Sequence, residues 1–293
     1  MANANTAPAP EKKKKKVSQM GLILKRLRRN KTAMAGLIII ILLILMAIFA
    51  PLLAPYSPTE MDYSAINATP NAQHLFGCDN LGRDILSRII YGARYSLSLG
   101  LITALIGCFI GLVFGTWIGY TGGKFDMIAM RVMDVWSAIP GQLLAIVIST
   151  ALGSGFVNTI IAMSVGGVPG SIRSTRAMCL KEREQEYLEA ARSINCSKAK
   201  IMYVHMLPNI VAPAIVGTTM SIGTTIMSAA GLSYIGLGIQ PPSPEWGAML
   251  SAGRDYILLY PHMLIFPGIA LAITVLAINL FGDGLRDAID PKN

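Results

Sequence analysis

Residues 33–53, AMAGLIIIILLILMAIFAPLL, contain no charged side chain. A helix rises about 1.5 Å per residue, so roughly 20 apolar residues cross the ~30 Å hydrocarbon core of a bilayer. The stretch is longer than the core of a secretory signal, and no small-residue cleavage site follows it cleanly. We therefore predict a retained membrane anchor helix.

The composition agrees with this prediction, because 53% of the 293 residues are apolar and only 14% are charged. Inside lipid every backbone amide must be hydrogen-bonded within its own segment, and such long uniform runs favour helices over barrel strands. The sequence predicts an all-α integral membrane protein with a six-helix transmembrane bundle. The predicted spans are residues 33–53, 95–120, 127–152, 156–172, 209–232 and 263–281.

The distribution of Lys and Arg predicts the orientation. Most of the 25 cationic residues fall before the first span, including Lys12 to Lys16, or within residues 171–207. Cationic residues near span ends are retained in the cytoplasm, so both termini and residues 171–207 are expected there. The tail supplies most of the net charge of +9, and we interpret it as a topology and lipid-contact signal, since no aromatic interleaving suggests nucleic acid.

This topology divides the chain into four predicted parts. They are a basic cytoplasmic tail (1–32), the anchor helix (33–53), an extracytoplasmic loop (54–94) and a core (95–293) that includes the cytoplasmic loop 171–207. Within the extracytoplasmic loop, the apolar residues suit one face of an interfacial helix: Ile85, Leu86, Ile89 and Ile90.

The four cysteines fall on different sides of the membrane or within a span: Cys78, Cys108, Cys179 and Cys196. The three histidines are equally scattered. The sequence therefore predicts neither a disulfide framework within the chain nor a metal site.

The second span carries four glycines at intervals of four residues: Gly107, Gly111, Gly115 and Gly119. Small residues at this spacing let helix backbones approach closely in membranes, so we expect a packing seam, with lining of a pathway as the alternative. The nearby Gly122-Gly123-Lys124 looks like the end of a phosphate-binding loop, but Phe125 stands where Ser or Thr is required. We therefore expect no ATP site in this chain.

Two charged residues, Arg131 and Asp134, lie three positions apart in the third predicted span. Isolated charges are costly within a bilayer, so we expect the two side chains to pair. The alternative is that Asp134 belongs to an ion or proton path.

The charged residues 171–207 separate two uncharged apolar stretches. Helical periodicity predicts one short helix over 182–194 and a second over 198–205, and Asn195 between them readily takes left-handed backbone angles. Pro208 then suits the start of the fifth span. Tyr187, Ala191 and Ile194, with Leu188 beside them, form an apolar stripe that favours docking of a partner.

The same segment resembles the cytoplasmic motif of ABC importer permeases, which runs Glu-Ala-Ala, then three further residues, then Gly, and later Leu-Pro. Here it reads Glu189-Ala190-Ala191, with Asn195 in place of the usual glycine, and it closes on Leu207-Pro208. The resemblance narrows to the C-type permease of the dipeptide and oligopeptide (peptide/nickel) branch through residues 74–88, 232–250 and 282–291, although Cys78 replaces the usual threonine.

This resemblance implies a MetI-like bundle with cytoplasmic coupling helices. It also implies that the chain is not an enzyme and works together with partner subunits. The expected partners are a second homologous permease, two ATPase subunits that bind ATP and Mg, and an extracytoplasmic solute-binding protein, in a bacterial or archaeal plasma membrane. No cofactor is expected in this chain. The resemblance places the ATPase contact at Glu186, Tyr187, Leu188, Glu189, Ala190, Ala191, Ser193, Asn195, Leu207 and Pro208.

Thr224 and Ser228, within a hydroxyl-rich part of the fifth span, are the predicted substrate-path residues, with helix packing as the alternative explanation of the hydroxyls. The outer loop and residues 233–262 are the expected platform for the solute-binding protein, and the alternative is that they only cap the bundle or lie along the membrane surface. The cargo stays open between dipeptides, oligopeptides, glutathione and nickel complexes. An ion-coupled carrier and a membrane hydrolase are disfavoured, since we find no internal repeat and all three histidines lie outside the cores of the spans.

Overall fold

The computed structural model describes residues 19–289, and these residues are mostly helical. The basic run Lys12 to Lys16 and the final residues 290–293 lie outside this range. The α-helices of the described residues are α1 (Gln19–Arg29), α2 (Lys31–Ile48), α3 (Ala50–Leu53), α4 (Ile85–Ile110), α5 (Thr116–Thr121), α6 (Gly123–Ser137), α7 (Gly141–Leu152), α8 (Phe156–Arg183), α9 (Glu186–Ser193), α10 (Lys198–Lys200), α11 (Leu207–Tyr234), α12 (Trp246–Gly253) and α13 (His262–Ile289).

Two π-helical segments join neighbouring helices into longer runs. Gly111–Gly115 connects α4 to α5, and Ile201–Met206 connects α10 to α11. The described residues contain four helical runs long and apolar enough to cross a membrane: Lys31–Ile48, Ile85–Thr121, Lys198–Tyr234 and His262–Ile289.

The third predicted span is not a straight helix. Helices α6 and α7 pass the same test only as a pair, and they are bent by 72° at the break between Ser137 and Gly141. Pro140 lacks an amide hydrogen and disfavours helical angles in the residue before it, which explains the break. The fourth predicted span lies within α8, whose glycines, serines and arginines make it less apolar than the other spans.

The helices pack around α11, which lies between α4 and α13, while α8 packs against α4 and α7. Helix α2 packs on the outside of α13, where a Cβ atom on Gly36 would come within 2.6 Å of the Ala277 carbonyl. Arg94 donates to the carbonyls of Ala47 and Ile48 at the end of α2. These contacts attach the anchor helix to the bundle, because they satisfy carbonyls that have no partner within the helix.

The prediction of an interfacial helix at residues 85–90 is wrong. Residues 85–94 belong to α4, and Ile85, Ile89 and Ile90 are almost fully buried. Trp246 is completely buried against them, and its indole N–H donates to the Ile89 carbonyl at 3.0 Å. The apolar face therefore packs inside the protein rather than on lipid.

Residues 54–84 and 235–261 form a layer at one end of the bundle, which we call the outer layer. Its charges are largely paired: Arg83 donates to Asp79 at 2.7 Å, and His74 lies 3.1 Å from Asp84. Cys78 is fully buried among these groups, and burial together with the neighbouring carboxylates raises its pKa to about 12. Its thiol therefore stays protonated at neutral pH.

Candidate functional site

The charged segment 171–207 is not a separate loop, which corrects the sequence prediction. Helix α8 continues to Arg183, so the predicted helix over 182–194 is interrupted at Glu184 and Gln185. The predicted second helix belongs to the continuous run Lys198–Tyr234 that contains the fifth span. A single short helix, α9, therefore connects two long helices.

Asn195 ends α9 as the sequence predicts. Its φ is +57°, in the left-handed region. The Asn195 N–H donates to the Arg192 carbonyl at 2.9 Å, and the Cys196 N–H donates to the Ala191 carbonyl at 3.1 Å. This pair of bonds is the Schellman arrangement, which satisfies the last carbonyls of a helix and reverses the chain direction.

Helix α9 has one face against the protein and one face outside it. Leu188 is completely buried and Ala191 is 8% exposed; both pack in a cluster with Cys179, Ile201, Met206 and Ile210. Both side chains thus form the buried face of α9 against the chain's own helices, and their predicted role at a partner contact stays a prediction. The outward face, which we call the exposed α9 face, includes Glu186, Tyr187, Glu189, Ala190 and Ser193.

Tyr187 links α9 to both neighbouring helices. Its hydroxyl donates to the Glu182 carboxylate at 2.6 Å and accepts from the Asn209 side-chain amide at 2.8 Å. Burial and the Glu182 carboxylate raise its pKa to about 12, so the phenol remains a donor. Arg192 adds a bond to the Arg183 carbonyl at 3.0 Å. Helix α9 is thus tied to the end of α8 and the start of α11.

The other two predicted motif residues lie at the junction with α11. Leu207 is half-buried and Pro208 is exposed, directly after the π-helical segment Ile201–Met206. Proline has no backbone N–H to donate to the preceding turn, and the wider π turn leaves room for the proline ring.

The four glycines of the second span lie against α8. A Cβ atom on Gly111 would come within 2.8 Å of the Ser171 carbonyl, and one on Gly115 within 2.7 Å of the Ile172 carbonyl. A Cβ atom on Gly119 would come within 2.9 Å of the Cys179 Cβ atom. Gly107 approaches the Ser171 hydroxyl and also lines a cavity.

Two arginines of α8 hold α6. Arg176 makes two contacts with the Asp126 carboxylate, and Arg173 lies 3.0 Å from Asp134. The predicted Arg131–Asp134 pair is present at 3.8 Å, but Arg173 is the closer partner. No sequence pattern predicts this contact, because only the packing of α6 on α8 brings residues 39 positions apart together.

A cavity of about 380 Å³ lies between α4, α7, α8 and α11. A second one of about 210 Å³ shares Ala104, Gly170, Ser171 and Ser221 with it, so the two are adjacent. Thr224 and Ser228 both line the larger cavity. None of the residues lining either cavity is charged; in the larger one they are Thr103, Ala104, Gly107, Gly141, Gln142, Met163, Ser164, Gly166, Gly167, Gly170, Ser171, Ser221, Thr224, Thr225 and Ser228.

A helical membrane bundle with an uncharged polar cavity between its helices, and a short helix tied to two of them, is compatible with a membrane transport protein. Comparison with known families agrees. The chain belongs to the family described as "Binding-protein-dependent transport system inner membrane component", whose model matches residues 111–293. A second model, "N-terminal TM domain of oligopeptide transport permease C", matches residues 18–70. The chain is thus a non-catalytic inner-membrane permease of an ABC importer.

Individual relatives indicate which members of this permease family the chain is similar to. The chain is 48% identical over 269 residues to the glutathione transport system permease protein GsiD of Escherichia coli O1:K1 / APEC, covering 92% of this chain and 89% of the relative. The GsiD of Shigella boydii serotype 4 (strain Sb227) matches equally. Among solved structures, a chain of the inward-facing MetNI methionine ABC transporter shares the fold, with a TM-score of 0.57, 18% identity, and coverage of 70% of this chain and 98% of that chain.

Proposed function

We propose that this chain forms one half of the translocation path of an ATP-driven importer for di- or oligopeptides. A second homologous permease supplies the other half. Two separate ATPase subunits bind ATP and Mg, and an extracytoplasmic solute-binding protein delivers the cargo. The exposed α9 face is the contact with one ATPase subunit.

One observation carries this proposal: α9 is fixed to α8 and α11, and the same two helices line the cavity. Tyr187 bonds to both of them, and Leu188 fills the cluster between them. A push on α9 therefore moves the cavity walls as packed units, which is the rigid-body movement that alternating access requires.

The orientation follows from the charges. The end of the bundle that carries α9 also carries α1, with Arg26, Arg28 and Arg29 in its last turn, and this end faces the cytoplasm under the positive-inside rule. The opposite end carries the outer layer. There an open cavity of about 530 Å³ includes Tyr56, Glu60, Asp62 and Tyr63 in its lining, and it lies on the surface that the solute-binding protein would meet.

Glutathione is the second candidate cargo. The GsiD relatives are named as glutathione permeases, and they match nearly the whole chain. Glutathione is itself a tripeptide, so it offers the same amide groups as a short peptide. Nickel chelates remain the third candidate because of the branch to which the chain belongs.

The test is to change the exposed α9 face without disturbing its buried face. Glu189→Lys reverses a charge and Ala190→Trp adds bulk, and both positions are exposed. Each variant should insert and fold normally yet abolish ATP-dependent peptide uptake by proteoliposomes that contain the complete importer. Ala190→Ser keeps the side chain small and should retain uptake. Normal uptake by both disruptive variants at equal protein levels would contradict the assigned contact.

A further inference from the structure

One side of α6 is apolar and exposed, and it carries an arginine at its centre. Six residues line a groove of about 520 Å³ there: Met127, Ile128, Arg131, Val132, Val135 and Trp136. The positions 128, 131, 132 and 135 follow helical spacing, so they share one side of the helix, which we call the exposed α6 face. Its aliphatic residues are each at least 52% exposed, and the Arg131 side chain is 80% exposed. A contiguous apolar patch of this kind marks a contact with membrane or protein.

The charge of the exposed α6 face is positive. Lys124 is exposed about two turns before Arg131, on the same side, and within the described residues it has no carboxylate partner. The two carboxylates of α6 are held by α8: Asp126 pairs with an α8 arginine, and Asp134 lies 3.0 Å from Arg173 but 3.8 Å from Arg131. The face therefore complements an anionic group.

The packing of α6 on α8 sets the depth of this face in the bilayer. Arg173, the partner of Asp134, directly follows the uncharged stretch of α8 and so marks its boundary with the lipid headgroups. Arg131 lies one turn, about 4.5 Å, nearer the start of α6. That start is beside the α9 end of the bundle, because a Cβ atom on Gly122 would come within 2.8 Å of Arg183 Nη1. The Arg131 guanidinium is therefore level with the lipid phosphates on the α9 side.

The chemistry of the face favours a phospholipid as its occupant. A guanidinium matches the geometry of a phosphate, and a lysine near an anionic leaflet adds a further attraction. Helices with one apolar face and flanking cations are typical of lipid contacts. Lysine is depleted in the cores of protein interfaces, and a protein partner would have to bring carboxylates to the level of the headgroups.

We propose that the exposed α6 face, with Lys124 and Arg131, is a binding site for an anionic phospholipid. The phosphate pairs with the two cations, and an acyl chain lies along the groove beside Val132 and Val135. The lipid belongs to the leaflet on the α9 side, which the proposed orientation makes cytoplasmic. The site depends neither on the cargo nor on the ATPase contact, so failure of either proposal leaves the other standing.

The experiment uses the complete importer in nanodiscs of equal phosphatidylglycerol and phosphatidylcholine, with the photoreactive p-benzoylphenylalanine in place of Val135, which is 75% exposed. Irradiation crosslinks this position to the molecule in contact with it, and mass spectrometry identifies the adduct. We expect phospholipid adducts with phosphatidylglycerol in excess. Arg131→Gln should lower the ratio of phosphatidylglycerol to phosphatidylcholine adducts about fivefold, and Lys124→Gln should lower it further, whereas Arg131→Lys should keep most of it.

Lys198→Gln with Lys200→Gln is the matched control. Both lysines are exposed and lie outside α6, so the pair removes two charges without touching the groove, and the adduct ratio should not change. Equal amounts of the two lipids in the unsubstituted face would overturn the inference, as would an unchanged ratio in Arg131→Gln with Lys124→Gln. An adduct with the second permease or another subunit, or the absence of lipid adducts, would also overturn it.

Discussion

A single substitution on the buried face of α9 tests how this helix is held against the bundle. Leu188→Ala removes a completely buried side chain from the cluster with Cys179, Ile201, Met206 and Ile210. Truncation of a buried leucine costs about 2–5 kcal/mol, depending on how far the site collapses. Since about 1.4 kcal/mol is tenfold in an equilibrium, the detached population of α9 should rise by about 30-fold to about 4,000-fold.

Ile194→Ala is the matched control, because it truncates an apolar side chain of similar size just beyond the end of α9 that is 76% exposed. Its cost to the fold should stay within about 0.5 kcal/mol. Amide hydrogen exchange across Glu186–Ser193, followed by mass spectrometry on the assembled importer, measures the detached population. Leu188→Ala should accelerate exchange and uncouple ATP hydrolysis from uptake. Equal exchange in the two variants would refute the assignment of buried and exposed faces.

Three further predictions concern the local backbone, the helix seam and a buried carboxyl. Asn195→Ala should weaken the end of α9 by about 1 kcal/mol and speed amide exchange at Cys196, whereas Asn195→Gly should preserve both, since glycine tolerates the +57° φ. Gly115→Ala should lower thermal stability by about 1–3 kcal/mol, because the new methyl meets a backbone carbonyl at 2.7 Å, while Gly217→Ala meets nothing within 4 Å and should not. Burial raises the pKa of the Glu245 carboxyl, so the folded state loses stability as the pH rises above about 4.3, and the melting temperature of Glu245→Gln should increasingly exceed that of wild type as the pH rises from there.

Each of these three predictions has an outcome that would contradict it. Unchanged exchange in Asn195→Ala would mean that the Schellman bonds do not hold α9. Equal melting temperatures for the two glycine variants would contradict the close contact between the second span and α8. A pH-independent difference between the Gln variant and wild type would mean that the Glu245 carboxyl ionises without cost in the fold.

The apolar stretches predicted the membrane class and most span positions, because their length and uniformity leave few alternatives in lipid. The bend between α6 and α7 had a visible signal in Pro140, yet a proline within an apolar run does not say how far the helix turns. The first turn of α4 was misplaced because Ile85 and Ile89 have the same spacing on an interfacial helix as on a buried one. Only Trp246, distant in sequence, decides between the two.

The sequence predicted a short helix around Glu189, Ala190 and Ala191 but did not distinguish the buried face of that helix from its exposed face. Leu188, Ala191 and Ile194 are all apolar, and composition alone cannot separate a side chain that packs on its own protein from one that awaits a partner.

The central claim is that movement of α9, driven by a separate ATPase, opens the path between α4, α8 and α11. The most direct measurement is uptake of labelled trialanine, delivered by the solute-binding protein, into proteoliposomes that contain both permeases, with and without the ATPase subunits. We predict uptake only with the ATPase subunits and ATP on the side that carries α9, in the absence of any ion gradient. Uptake by the permeases alone, driven by an ion gradient, would contradict the account.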